Sequence, residues 1–262
     1  MPDDPARALR VVTYNVHGCV GLDGRTDVAR IGAILAELDA DVIALQEVHS
    51  ARAGQGGGQV AELAERLGMH AVLGTTMPDR AVGPYGNAIL SRLPVLHSGC
   101  FDLTVVGCEP RCLMHVELEH GGQRFTVMNT HLGVRLRERH AQLRRCAHLL
   151  EHGVALADQP LLVMGDFNSW LPRGDVLGKL RARFGAQPAP RSFPVRRPIF
   201  ALDRIWTRPA SWLRDVAALA SPQTRVASDH LPVWARLAAF AELSPATNAS
   251  SSARTSAGAS TR

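Results

Sequence analysis

Short apolar runs that end in polar side chains are the feature that most constrains this chain. Residues 9–15 form a β-branched apolar run that ends in Asn15, and residues 41–48, DVIALQEV, form another that presents Glu47 near its end. Runs of this length are typical of buried strands. A strand that ends in a carboxylate, amide or imidazole aims that side chain into a cleft at the rim of its sheet. The pattern therefore predicts a site built from strand ends.

Helical spacing appears between these runs. Val28, Ile31, Leu35 and Leu38 recur at the helical period behind Asp27, a suitable N-cap, and predict a helix between the first two strands. We predict three further helices, over residues 59–67 (closed by Gly68), around Leu136, Leu143, Ala147 and Leu150, and over 176–184. Further strands are predicted over residues 87–91, 112–118, 124–129 and 161–165 and in LDRIWT, LRDVAALA and HLPVWARLA. Interspersed helices and strands indicate an α/β sandwich, two sheets with helices outside.

Length and composition favour one folded domain. The chain has 262 residues, of which 46% are hydrophobic, enough to bury a substantial core. We predict an N-terminal lead over residues 1–8, one domain over 9–242 and a disordered Ser/Ala/Thr tail over 243–262. The N-terminus lacks the apolar core of a signal peptide, and no run reaches the ~18 to 20 apolar residues of a membrane span, so we predict a soluble, cytoplasmic protein.

Charge and cysteine content limit the partners. Lys and Arg total 29 against 24 Asp and Glu, a balance of +5 that favours an anionic partner. The balance is too small to distinguish nucleic acid from lipid. The arginine-rich string RLRERHAQLRR alternates with apolar residues, which indicates a solvated helix face. Five cysteines without a paired CxxC spacing suggest neither a disulfide framework nor a structural zinc site, and no pattern indicates a protein partner.

Oxygen ligands dominate the polar strand ends. Glu47, Asp229 and the amide of Asn15 are suited to hold Mg²⁺, with Mn²⁺ as a substitute. No GxSxG or GxxxxGK[ST] motif is present, which leaves serine hydrolase and P-loop chemistry without support. The string HLLEH matches the inverted zinc-peptidase pattern, but a third zinc ligand cannot be placed, and chance is the simpler explanation.

Seven strings in a fixed order carry a family resemblance. They are TYNVHG with Asn15, LQEV with Glu47, YGNAILSR with Asn87, NTHLG with His131, GDFNSW with Asp166 and Asn168, LDRIW with Asp203, and SDHLPV with Asp229 and His230. Over about residues 9–238 the chain resembles the endonuclease/exonuclease/phosphatase superfamily of Mg²⁺-dependent phosphodiesterases and phosphatases. The NTHLG string resembles its sphingomyelinase and deoxyribonuclease branch.

The resemblance implies a four-layer αββα sandwich with the site at one edge of the paired sheets. It makes Glu47 the main metal ligand, with Asn15 and Asp229 beside it or bound through water. Asp203 and His230 would form a pair in which the carboxylate fixes the imidazole tautomer. His230 would be the general base for the attacking water.

The remaining strings imply contacts to substrate. Asp166 and Asn168 would orient the nucleophile and bond a phosphate oxygen, and His131 would donate to a phosphate oxygen or the leaving group. The division of the base role between His230 and Asp166 stays open. Arg111 and Asn87 are candidate substrate contacts.

Two further residues keep two interpretations each. His17 either lines the cleft or is a satisfied turn histidine, and Trp170 either flanks the substrate or is a partly buried aromatic.

These observations predict a Mg²⁺-dependent phosphate-ester hydrolase, most simply a phosphodiesterase. The substrate would be a phosphate ester of a phospholipid head group, a nucleotide or a nucleic acid. Loops such as residues 54–59, 75–84 and 173–198 would determine the substrate specificity. An alternative within the family is a DNA or RNA endonuclease, whose binding would weaken steeply with salt. A catalytically silent binding protein on the same scaffold is a third hypothesis.

Overall fold

Two β-sheets form the centre of the molecule. The computed structural model describes residues 6–50, 58–77, 83–152, 159–170 and 177–243. In chain order the strands are β1 (Arg10–Asn15), β2 (Val42–His49), β3 (His70–Met77), β4 (Tyr85–Ser91), β5 (Val95–Asp102), β6 (Cys112–His120), β7 (Gln123–His131), β8 (Leu161–Asp166), β9 (Asp203–Arg208), β10 (Leu213–Ala218) and β11 (Val233–Leu237). They form a six-stranded sheet, β10-β11-β1-β2-β4-β3, and a five-stranded sheet, β5-β6-β7-β8-β9.

Helices cover the outer faces of both sheets. They are α1 (Val28–Leu38), α2 (Gln59–Leu67), α3 (Leu136–His152), α4 (Gly178–Phe184) and α5 (Thr224–Ala227). Side chains of α1 and α2 share a core with the outer face of the six-stranded sheet, and those of α3 and α4 share one with the five-stranded sheet. A third core lies between the sheets. The predicted four-layer αββα sandwich is confirmed.

Local signals set the ends of the first two helices where the sequence predicts them. The Asp27 carboxylate accepts a hydrogen bond from the Arg30 N–H at 2.8 Å and caps α1. Helix α2 ends at Gly68, whose φ of 63° lies in the left-handed region that glycine adopts without strain.

The structure corrects four details of the sequence prediction. Residues 75–77, predicted as loop, belong to β3, and both β3 and β5 are absent from the predicted strands. Leu136, predicted on the apolar face of α3, is 51% exposed. Arg139, predicted on a solvated face, is buried and donates to the carbonyls of Gly133 and Val134.

Several predictions fall outside the described residues. These include the first five residues of the lead, most of the tail (244–262) and parts of the predicted specificity loops (54–57, 78–82 and 173–176). His148 of the HLLEH string lies exposed on α3, and the side chain of His152 lies outside the described part of the structure. Over the described residues, no helix combines the length and apolar character needed to cross a bilayer.

Strand directions bring the polar strand ends to one edge of the sandwich. Strands β1 and β2 run parallel, as do β7 and β8, so their carboxyl ends meet there. Their antiparallel neighbours β4, β6, β9 and β11 begin at the same edge.

A polar bridge joins the two sheets just below this edge. Asn129 Nδ2 donates to the carbonyls of Leu45 and Ala88 at 2.9 Å each, and its Oδ1 accepts from Gln46 Nε2 at 2.8 Å. Both polar side chains are fully buried. The bridge satisfies these groups and holds the two sheets together beneath the strand ends.

Candidate active site

A cleft of about 1100 Å³ opens at the edge where the strand ends meet. Eight of the ten predicted site residues line it: Asn15, Glu47, Arg111, His131, Asp166, Asn168, Asp229 and His230. Asp203 lies beneath it, fully buried and bonded to His230. The fold thus assembles one site from motifs spread along most of the chain.

Glu47 reaches the cleft because β2 is bulged at this point. The β2–β4 pairing shifts register between Leu45 and Val48, so that two β2 residues oppose one residue of β4. Glu47 has a φ of 56°, a conformation that non-glycine residues rarely adopt. Tyr85 at the start of β4 donates its hydroxyl to Glu47 Oε2 at 2.8 Å. The bulge and Tyr85 fix a carboxylate whose side chain stays 23% exposed.

Asn15 connects carboxylates from the two sheets. Its Nδ2 donates to Glu47 Oε1 at 2.9 Å and to Asp166 Oδ2 at 3.1 Å. Its Oδ1 accepts from the backbone N–H of His17 at 3.1 Å. The observed contacts make Asn15 a positioning group for two carboxylates, and its ligation of a metal stays a prediction.

Two N–H groups flank the ring of His131, and a neutral imidazole can accept from only one of them. Arg111 Nη1 lies 3.1 Å from His131 Nδ1, and Asn168 Nδ2 lies 3.1 Å from Nε2. Burial lowers the pKa of His131 to about 3; the Asp166 carboxylate opposes this shift and the Arg111 charge adds to it. The imidazole is therefore neutral at physiological pH.

His230 and Asp203 form a buried carboxylate–imidazole pair. His230 Nδ1 lies 2.8 Å from Asp203 Oδ2, an oxygen that also accepts from the Ser192 hydroxyl. Burial acts to lower the pKa of His230, but the charges of Asp203 and Asp166 outweigh it and raise the pKa to about 10. His230 Nε2 lies at the cleft, 3.7 Å from Asp166 Oδ2.

The GDFN sequence builds a tight turn at the end of β8. The Asn168 N–H donates to Asp166 Oδ1 at 2.9 Å, and Asn168 has a φ of 47°. Gly165 has a φ of 141°, and a Cβ at this position would lie 2.0 Å from the Thr130 carbonyl oxygen. The glycine allows the close strand approach that places Asp166 and Asn168 at the cleft.

The carboxylates that line the cleft fit a hard divalent cation. Glu47 Oε1 and Asp166 Oδ2 converge on the Asn15 amide, and Asp229 lines the same cleft. Mg²⁺ prefers oxygen ligands and retains several waters, which the partly exposed position of Glu47 allows.

A second group of possible ligand atoms lies deeper. One atom each from Asp166, Asp203 and His230 lies within 4.8 Å of the others, and all three residues are buried. Asp203 Oδ2 already accepts from His230 and Ser192. Because its imidazole-facing oxygen is committed, this group suits proton transfer better than Mg²⁺ binding.

Tyr85 is a cleft residue that sequence reasoning did not single out. The predicted strand began at Asn87, whereas β4 begins two residues earlier, in the string YGNAILSR. Asn87 is buried in β4 and is not among the described residues that line the cleft, so its contact with substrate stays a prediction. The signal available in the sequence was an aromatic residue at the first position of the string YGNAILSR.

Aromatic rings form one wall of the cleft beside His230. The Phe193 ring centroid lies 4.8 Å from that of His230. Trp170 packs against Phe193 and Phe200, with ring centroids 5.2 Å apart in each pair. His17, with a φ of 49°, lines the cleft on the other side. Both interpretations of Trp170 have structural support, because it is partly buried and also lines the cleft.

The fold and the site define a class of protein. A sequence model of the Endonuclease/Exonuclease/phosphatase family matches residues 12–230, so the chain belongs to this family. The family is metal-dependent, and its members are phosphoester hydrolases.

Individual relatives and solved structures are similar to this chain. Escherichia coli K12 YbhP, an uncharacterized protein, is 32% identical over 257 residues, covering 90% of this chain and 99% of YbhP. An endonuclease/exonuclease/phosphatase from Beutenbergia cavernae has a TM-score of 0.72 and 26% identity, covering 89% of this chain and 72% of that chain. A mannosyl-6-phosphatase from Bacteroides thetaiotaomicron has the same fold, with a TM-score of 0.69 at 18% identity over 87% of this chain and 99% of that chain.

Proposed function

We propose that this chain is a Mg²⁺-dependent phosphodiesterase that uses in-line attack by water. The observation that carries the proposal is the convergence of three groups on one cleft. Glu47 Oε1 and Asp166 Oδ2 share the Asn15 amide, and His230 Nε2 lies 3.7 Å from Asp166 Oδ2. A cation-binding carboxylate and a candidate base therefore lie at one position.

Glu47 would hold the metal, with Asn15 and Asp229 beside it. Mn²⁺ would substitute, because it accepts the same oxygen ligands. When bound, the cation supplies charge that stabilises the phosphate in the transition state and offsets the carboxylates around His230.

His230 would accept the proton of the attacking water at Nε2. Asp203 holds Nδ1 at 2.8 Å and stabilises the imidazolium that forms. Asp166, oriented by the Asn168 N–H, would position the water through Oδ2. A general base must be unprotonated when it accepts the proton. The carboxylate charges raise the pKa of His230, so the proposed mechanism requires the bound cation to offset them.

Arg111, His131 and Asn168 would contact the phosphate oxygens. Among the described residues that line the cleft, Arg111 is the only lysine or arginine, and His131 is neutral. One guanidinium suits the single charge of a diester better than the dianion of a monoester. This charge balance favours phosphodiester over phosphomonoester substrates.

Hydrolysis of a soluble bis-aryl phosphodiester with Mg²⁺ tests the proposal. Glu47→Gln and His230→Gln should each lower kcat/KM by about 10²-fold to 10⁴-fold. Glu37→Gln and His140→Gln are matched controls on exposed helix positions and should retain turnover. Turnover that survives both cleft substitutions, or that does not require a divalent cation, would contradict the proposal.

A further inference from the structure

Three loops border the cleft along the edge of the five-stranded sheet. They are residues 103–111 between β5 and β6, 132–137 after β7, which include the first two residues of α3, and 191–202 before β9, and we call them the rim loops. Glu109, Arg111, Val134 and Phe193, which belong to these loops, line the cleft. In the sheet order β5-β6-β7-β8-β9 the first two loops adjoin neighbouring strands and the third enters β9, beyond β8, and all three lie at the edge that holds the site.

The most exposed large apolar side chains in the described residues lie on the rim loops. Val106 is 100% exposed, Val134 is 61% exposed, and Leu136 and Ile199 are each 51% exposed. Exposed apolar residues scattered singly are common on soluble proteins, whereas these four lie on loops at one edge of one sheet, and Val134 among them lines the cleft. The rim loops are therefore suited to contact an apolar partner.

Arginines alternate with these apolar side chains. Val134 and Leu136 are each followed by an exposed arginine, and the third rim loop adds more; the five are Arg135, Arg137, Arg191, Arg196 and Arg197. Glu109 is the only acidic residue in the three rim loops. The rim thus combines exposed aliphatic groups with a local excess of positive charge of +5, equal to the net charge of the whole chain.

We propose that the rim loops dock on an anionic lipid bilayer. Aliphatic side chains gain free energy when they leave water for the acyl boundary, and guanidinium groups are attracted to anionic head groups. A nucleic acid would use the arginines but would leave Val106, Leu136 and Ile199 in water. The combination therefore favours a lipid surface.

Docking in this orientation turns the cleft mouth toward the head groups. The substrate is then a phosphodiester of a membrane lipid head group, an assignment that rests on the function proposed above. The docking itself does not depend on catalysis, so the two can fail separately.

Vesicle co-sedimentation of the full-length protein in EDTA tests the docking without turnover. The protein should sediment with vesicles of phosphatidylcholine and phosphatidylglycerol, and much less with phosphatidylcholine alone. Val106→Ser combined with Leu136→Ser should weaken binding about tenfold. Arg135→Gln combined with Arg137→Gln should weaken it about tenfold or more at low salt, with a smaller effect at high salt.

Leu73→Ser is the matched control, because Leu73 is 48% exposed on β3, outside the rim loops, and should leave binding unchanged. Equal binding by all variants, or no binding by the unaltered protein, would overturn the proposal. Binding to duplex DNA instead of vesicles would also overturn the proposal, if only the arginine substitutions weakened that binding. Turnover of a soluble phosphodiester by Val106→Ser/Leu136→Ser tests the hydrolase proposal separately from the docking proposal.

Discussion

The two sheets supply unlike halves of the site. The six-stranded sheet provides Glu47, which is partly exposed and bonded to Tyr85. The five-stranded sheet provides Asp166 and Asp203, which are 1% and 0% exposed. A carboxylate open to water can exchange its waters for a cation, whereas Asp203 is held through Oδ2 by His230 and Ser192, and its Oδ1 has no hydrogen-bond partner among the described residues. The difference supports the proposed division of roles, in which the exposed half would hold the metal and the buried half would move the proton.

His230 connects the halves. It precedes β11 of the six-stranded sheet, yet its Nδ1 contacts Asp203 of the five-stranded sheet. The alignment of the two halves therefore depends on how firmly the sheets are joined.

Asp203→Asn changes the buried half alone. It should have the largest effect. We expect kcat to fall by about 10³-fold or more, since the amide neither holds the productive tautomer nor stabilises the imidazolium. In the metal-free protein the pKa of His230 should fall from about 10, because burial lowers it and the Asp203 charge that opposed burial is gone. Steady-state kinetics and an NMR titration of His230 measure the two effects. An unchanged His230 pKa would contradict the assignment.

Asn129→Ala should weaken the contact between the two sheets. The substitution removes the Asn129 amide that donates to the carbonyls of Leu45 and Ala88 and accepts from Gln46 Nε2, which keeps its bonds to Thr13 and Ala44. We expect the free energy of unfolding to fall by about 3 kcal/mol in urea denaturation. Gln123→Ala, an exposed position on the same strand, should cost less than ~0.5 kcal/mol. Equal costs would show that the bridge does not hold the sheets.

Tyr85→Phe should have the smallest effect, confined to the open half. Loss of the hydroxyl that holds Glu47 Oε2 should weaken Mg²⁺ binding about tenfold, measured by calorimetry, with kcat at saturating Mg²⁺ nearly unchanged. Tyr14, the other tyrosine, is a matched control: its hydroxyl is buried and has no hydrogen-bond partner among the described residues. If Tyr14→Phe weakened Mg²⁺ binding equally, the positioning role of Tyr85 would be wrong.

Strongly patterned elements were predictable from the sequence. Helices α1 and α2 match their predicted bounds because a cap and a terminal glycine mark them. Strands β3 and β5 were missed because they are edge strands in which only one of sixteen residues is buried, so they carry no buried apolar run.

Within the site, the motifs gave residue identities but not all of their surroundings. The β2 bulge that turns Glu47 toward the cleft depends on pairing with β4, which no local signal specifies. Gln46 and Asn129 end apolar runs as the site residues do, yet they bond each other between the sheets. Only the tertiary arrangement separates a structural amide from a functional one.

Mg²⁺ calorimetry on Glu47→Gln and Asp203→Asn tests the division between the halves most directly. We expect Glu47→Gln to lose most Mg²⁺ binding, and Asp203→Asn to bind Mg²⁺ nearly as the unaltered protein does while losing phosphodiester turnover. Loss of Mg²⁺ binding in Asp203→Asn with retention in Glu47→Gln would place the cation in the buried Asp166–Asp203–His230 group and contradict the account.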